Sequence, residues 1–189
     1  MQEPPKKRKK WPWVVGSLAV LTVLGCVGVF ALFAGGAKVV ADAAGEMDAN
    51  QQGKNAAVGA MNKPATDGKF EFTVTRMACG VDHVGSETFG TKAQGEFCLI
   101  ITKVKNVGKS VESFDDSSQK AYTADGVEYS ADGAAGMDAN DDGQTFLEDI
   151  NPGNQVTATL VFDVPKHTKL ASVVLHESSY TAGVKVPLK

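Results

Sequence analysis

Histidine and cysteine are scarce in this chain, three of each in 189 residues, and that scarcity closes off several chemistries. His83, His167 and His176 stand apart with no ligand spacing between them, so each reads as a solvated or hydrogen-bonded surface residue. Cys26, Cys79 and Cys98 supply no Cys-x-x-Cys pair of the sort that zinc sites and disulfide oxidoreductases use. None of the serines, Ser117, Ser118, Ser178 and Ser179 included, sits in a nucleophile-elbow context. The glycines form neither a P-loop nor a dinucleotide fingerprint and fall instead at turns. No catalytic constellation emerges, so the expectation is a protein that is not an enzyme. A hydrolase would require a nucleophile and a base to be brought together by the fold alone.

Charge is absent from one long stretch, Trp11 to Ala34. About 24 helical residues rise roughly 36 Å, more than the ~30 Å hydrocarbon core of a bilayer. Just before it, Lys6-Lys7-Arg8-Lys9-Lys10 should stay cytoplasmic under the positive-inside rule, and Trp11 and Trp13 stand where the span meets the headgroups. The expected layout is a basic cytoplasmic tail (1–10), a single transmembrane helix (11–34), a spacer rich in Ala, Gly, Asn and Gln (35–67) and an extracellular domain (68–189). Two rivals exist. A cleaved signal peptide would use Val14 to Gly25 as its apolar region. A lipoprotein would be anchored through Cys26, since Val23-Leu24-Gly25-Cys26 resembles a lipobox. Leu24 is large for that motif, and the chain stays apolar through Ala34 where a lipoprotein continues into a polar tether.

The formal net charge of −3 hides an asymmetry. The tail carries about +4 and the remainder about −7. An acidic outer part argues against nucleic acid as a partner, because neutralising phosphates needs a basic face. Two cysteines in an exported domain favour a disulfide, with separate buried thiols or a redox or metal pair as the alternatives.

From Lys69 the hydrophobic pattern has period two. Phe70, Phe72 and Val74 alternate with Glu71, Thr73 and Thr75 as in a half-buried strand. Residues 96–107 (EFCLIITKVKNV) are apolar on both faces at first, which suits a central strand. A hairpin is expected over 119–130 around Asp125-Gly126, then an Asp-, Ala- and Gly-rich loop over 131–143. A short strand follows at 146–150, then a type II turn at Asn151-Pro152-Gly153-Asn154. Strands at 155–164, 170–175 and 184–188 complete the set. Around eight short strands with no convincing helix predict an all-β antiparallel β-sandwich.

One stretch has a ligand-like code. In DANDDGQTFLED, Asp138, Asn140 and Asp142 alternate, Gly143 follows and Asp149 takes the twelfth place, as in the calcium-loop template. The final acid is Asp rather than the longer Glu, Thr145 replaces the usual apolar residue, and the loop lies between strands. The same acids also suit a solvated turn.

In this order, Cys79-Gly80, Gly95-Glu96-Phe97-Cys98, Lys105-Asn106-Val107-Gly108, Ser118-Gln119-Lys120 before Tyr122, Asp125-Gly126 and Tyr129, Asn151-Pro152-Gly153-Asn154 and Leu160-Val161-Phe162-Asp163-Val164-Pro165 resemble a bacterial domain of unknown function. That family is common in exported proteins of Gram-positive and especially actinobacterial species. It is similar in fold to the mycobacterial immunoprotective extracellular antigen, an immunoglobulin-like sandwich. The resemblance covers roughly 68–189 and implies that fold, export, and a Cys79–Cys98 bridge. It implies no catalytic residues. Names of some relatives suggest telomere binding, which the acidic outer part does not support. The expected function is a membrane-anchored extracellular binding module for an unknown cell-surface or envelope protein. It would use no cofactor, with a calcium-dependent domain at 138–149 as the alternative.

Overall fold

The computed structural model describes residues 38–140 and 149–189. The basic tail, the apolar span 11–34 with Cys26, and Asp142 of the acidic loop lie outside the described residues. Among the described residues no helix is long and apolar enough to cross a membrane. The chain divides into two units, Met1–Gly45 and Glu46–Lys189. Of the first, the described part is helical from residue 38; the helix, α1 (38–51), ends within the second.

The second unit is a β-sandwich. A five-stranded sheet has the order β1 (Ala57–Val58), β11 (Val184–Pro187), β10 (Leu170–Leu175), β6 (Lys120–Thr123) and β7 (Glu128–Ser130). A four-stranded sheet has the order β2 (Ala65–Asp67), β3 (Phe70–Val84), β4 (Thr91–Asn106) and β9 (Gln155–Val164). A small third sheet joins β5 (Glu112–Ser113) to β8 (Asp149–Ile150). All pairs are antiparallel except β1 with β11.

The alternation seen in the sequence sets which side chains meet between the sheets. From β3 come Phe70, Phe72 and Val74, from β4 Cys98, Ile100 and Val104, and from β9 Ala158, Leu160 and Phe162, all buried in one core with Val173, Leu175, Val184 and Val186 of the facing sheet. Phe70, Phe72 and Phe114 form a ring cluster with centroids 5.9 to 6.0 Å apart. Thr102 and Asn106 continue the inward row of β4. Asn106 is buried because its amide replaces missing ladder bonds. Its Nδ2 donates to the carbonyls of Ser110 at 2.8 Å and Ile150 at 2.7 Å, and its Oδ1 accepts from Gly108 N–H at 2.8 Å.

The opposite face of β4 has its own cluster. Phe97 and, across on β9, Val161 join Val84 and Ala135, with Val81, Ala93, Leu99 and Ala139 around them. What covers this face is α2 (Gly133–Ala139), capped by Asp132, whose Oδ1 accepts from Ala135 N–H at 3.0 Å. Here the expectation of an all-β loop over 131–143 is corrected. The apolar outer row of β4 needs a lid, and seven residues with an Asp cap supply one.

A second correction concerns the domain boundary. The expected spacer 35–67 contains β1 and β2, so the sandwich begins before Gly68. Asp67 is buried and accepts from Glu177 N–H at 2.8 Å and Gly183 N–H at 3.0 Å, a role set by residues more than a hundred positions away. The turn at 151–154 forms as expected. Asn154 N–H donates to the Asn151 carbonyl at 3.0 Å, with Gly153 at φ +84°. Cys79 and Cys98 are disulfide-bonded between the neighbouring strands β3 and β4.

Candidate interaction surface at the hairpin tip

Strands β3 and β4 are 15 and 16 residues long, and their connecting turn is the far tip of the four-stranded sheet. The turn is fixed rather than loose. Gly90 N–H donates to the Ser86 carbonyl at 2.7 Å, and Phe89 N–H donates to Ser86 Oγ at 3.1 Å. Thr91 Oγ1 donates to Asp138 Oδ2 at 2.6 Å, tying the base of the tip to the end of α2. On this held turn Phe89 is 86 % exposed. Met137, on α2 beside Asp138, is 60 % exposed. An aromatic ring kept in water on a hydrogen-bonded turn gains nothing for folding, because its burial energy is unused. Aromatic and Met side chains of this kind are the ones that protein interfaces enrich.

The acidic stretch lies partly at this end. Asp138 is occupied by Thr91. The Asn140 amide is wholly committed to α2 and the outer edge of β9. Its Nδ2 donates to the carbonyls of Gly136 at 2.7 Å and Thr159 at 3.0 Å, while Oδ1 accepts Thr159 N–H at 2.9 Å. A side chain thus completes the ladder at an edge strand, with Asp132 N–H donating to the Val161 carbonyl at 2.8 Å one step along. Asp149 is exposed on β8, at the opposite end of the sheet. Its neighbour Ile150 meets Asn106, whereas Thr159 pairs with Ile101. Five strand residues, roughly 16 Å, separate the two positions. The structure therefore holds Asp138 and Asn140 near one another and Asp149 away from them. Among the described residues no three His, Cys, Asp or Glu side chains converge as a metal site would need.

An open concavity of about 400 Å³ lies along the end of β9, lined by Gln94, Gly95, Asp132, Asp163, Val164 and Pro165. Its carboxylate at Asp163 is already used by two backbone donors, Gln94 N–H at 2.7 Å and Gly95 N–H at 3.0 Å. The histidines are not grouped. His83 lies half-buried on β3, His167 is exposed in a turn, and His176 is fully buried, which corrects its reading as a surface residue. Its burial follows from a position directly after the apolar Val173-Val174-Leu175 end of β10, a cue that the isolated residue does not carry.

With this geometry in hand, the chain can be set beside known proteins. Residues 59–186 match the family described as Domain of unknown function (DUF4352). The chain belongs to the DUF4352 family. None of the curated proteins matches it. Among solved structures, this DUF4352 chain is similar to the secreted protein MPT63 of Mycobacterium tuberculosis, with 14% identity, 70% of this chain and 98% of that one covered, and a TM-score of 0.52. It is also similar to a conserved hypothetical protein from Bacillus anthracis, with 22% identity, coverage of 61% and 86%, and a TM-score of 0.48. An uncharacterized beta-sandwich protein from Clostridium difficile matches with 16% identity, coverage of 71% and 95%, and a TM-score of 0.46. At these identities the first likeness speaks to the fold, a β-sandwich.

Proposed function

We propose that this DUF4352 chain is a non-enzymatic binding module, an immunoglobulin-like sandwich held at the outer face of a cell membrane by residues 11–34. Its contact surface for a cell-surface or envelope protein is the β3–β4 tip. The observation that carries the reading is Phe89, exposed on a turn whose backbone is fixed by Ser86 and whose base is tied to Asp138. A rigid aromatic loses little conformational entropy on docking, so it suits an anchor. The Cys79–Cys98 disulfide supports an oxidising, exported setting. The sequence supports the anchor through its uncharged span and basic flank.

Photo-cross-linking on intact cells tests this. A photoreactive residue at position 89 should form a discrete adduct with an envelope protein. The same residue at Val58, equally exposed on the edge strand β1 of the other sheet, should not. Phe89→Ala should remove the adduct formed from position 137 and leave the melting midpoint in place. Equal labelling from 58 and 89, or none from 89, would defeat the reading.

A further inference from the structure

His176 follows β10 and is fully buried. Its Nδ1 lies 3.1 Å from the Thr181 carbonyl oxygen. A carbonyl only accepts, so Nδ1 carries the proton and Nε2 is the bare nitrogen of a neutral ring. That Nε2 is buried and has no hydrogen-bond partner among the described residues. Buried Gln119 clamps the backbone of the same residue. Its Nε2 donates to the His176 carbonyl at 3.1 Å, and its Oε1 accepts His176 N–H at 2.8 Å. Gly183 closes over the ring; a Cβ there would come within 2.6 Å of it.

The segment 177–183 is therefore a strap. Asp67 holds both of its ends through Glu177 N–H and Gly183 N–H, and the ring holds its middle through Thr181. The outer side of the strap has work to do. The Tyr180 carbonyl accepts from Asn50 Nδ2 at 3.1 Å, and Asn50 Oδ1 accepts from Asn55 Nδ2 at 2.8 Å. Asn50 belongs to the last turn of α1, so the strap is one of the points at which that turn is fastened to the sandwich.

A second proton on the ring would sit at Nε2, where burial leaves it without an acceptor. The charged groups bearing on the ring are Asp67 of β2, which attracts the proton, and Lys120 of β6, which repels it. Glu177 is turned aside, 3.9 Å from Lys69. Burial outweighs the Thr181 hydrogen bond and Asp67, so the imidazole is held below its ordinary value of 6.5. The unfolded ring therefore takes its proton first. The stability that the neutral ring contributes is present above about pH 6.5 and declines as the pH falls from there toward the folded value.

We propose that His176 is a protonation latch. When Nε2 gains a proton the ring leaves its slot, the strap parts from Asp67, and the end of α1 loses its hold at Tyr180. This goes beyond the docking role of the hairpin tip and does not depend on it.

Hydrogen exchange on the full chain, corrected for intrinsic rates and compared at about pH 7.5 and about pH 4.5, tests the latch. Protection at 177–183 and 48–53 should drop at least about tenfold at the lower pH, with β4 and β9 unchanged. His176→Asn keeps a donor toward Thr181 and cannot titrate, so its strap should stay protected at both values. An acid opening equal in His176→Asn would assign the effect to a carboxylate and overturn the proposal, as would a wild-type strap that stays shut at both values. Should His176→Asn already be open at about pH 7.5, the ring's own titration by NMR in the wild type decides. Strap signals that move together with the ring support the latch; strap signals that move without it refute it.

Discussion

Each of the two larger sheets carries a helical cover on its outer face, and the two covers hold on by different means. On the five-stranded sheet the end of α1 and the residues after it lie over Tyr122 and Val174. Tyr122 Oη donates to the Gln51 carbonyl at 3.2 Å, Asn50 reaches Tyr180, and Gly53 sits against Val174. On the four-stranded sheet α2 presses Ala135 and Ala139 onto Val84, Phe97 and Val161, and the Asp132 backbone N–H at one end and the Asn140 side chain at the other then close the free edge of β9. The first cover hangs largely on polar contacts, one of them to the strap that the buried His176 ring holds. The second is an apolar seat. Polar contacts exchange with water at little net change, so the first is suited to open and close. Apolar burial does not respond to pH, so the second is suited to stay.

The largest effect that would break this contrast lies beneath α2. Phe97→Ala should cost about 3–5 kcal/mol, the usual range for a buried Phe. It should also expose β9 amides to exchange in the same step, as denaturant melts and exchange would register. A small loss with β9 still protected would mean that α2 is held by its caps alone. Next comes the bridge between β3 and β4. Cys79 and Cys98 are 19 residues apart, so reducing them should remove about 3 kcal/mol in the chain-entropy model, read as a lower midpoint in reductant. Asn140→Ala follows, at about 1–3 kcal/mol, because it strands the N–H and carbonyl of Thr159. It should also make self-association concentration-dependent in sedimentation, since an uncapped edge pairs with other edges. Asn50→Ala, on the polar cover, should cost only about 0.5–1.5 kcal/mol. It should speed exchange in 48–53 without touching β9.

The smallest effect has the opposite sign. Asp116 lies 3.6 Å from where a Cβ on Gly133 would stand, at the start of α2. Burial first, then the charges of Asp115 and Asp132, raise its carboxyl above the ordinary value of 3.8. A carboxyl with a raised pKa opposes folding at neutral pH, and that penalty fades as the pH falls through the raised value toward 3.8. Asp116→Asn should therefore lift the midpoint slightly at neutral pH, with the gain gone in acid.

How much of this could be read from the chain follows from the reach of each signal. The long strands were legible because a side-chain period of two is local; Phe70, Phe72 and Val74, or the row through Leu160 and Phe162, need no distant partner to declare themselves. The turn at Asn151–Asn154 was legible for the same reason. Helix α2 was not, since the two glycines of GAAGMDA offset its three alanines and it has no stripe. The clue lay elsewhere, in the outer apolar row of β4 that something had to cover. Strand β1 was hidden because it has two residues and pairs in parallel across the length of the domain. The tip was hidden because Phe89 looks like any core aromatic until its turn is seen. In the acidic stretch, spacing suggested convergence, whereas Asn140 is bonded to Thr159 on β9 and Asp149 pairs with Ser113 on β5. Buried Asp67, Gln119 and His176 were opaque for one shared reason: each is explained by residues far along the chain.

The amide of Asn140 carries a consequence in chemical ageing. Its Nδ2 faces two carbonyl oxygens, those of Gly136 and Thr159. Deamidation would put an oxygen where that donor stood, turning two attractions into repulsions within one residue. A molecule aged in this way would keep its core and its disulfide while its outermost strand came unguarded. Old and new copies of the protein would differ less in fold than in how readily they adhere to one another.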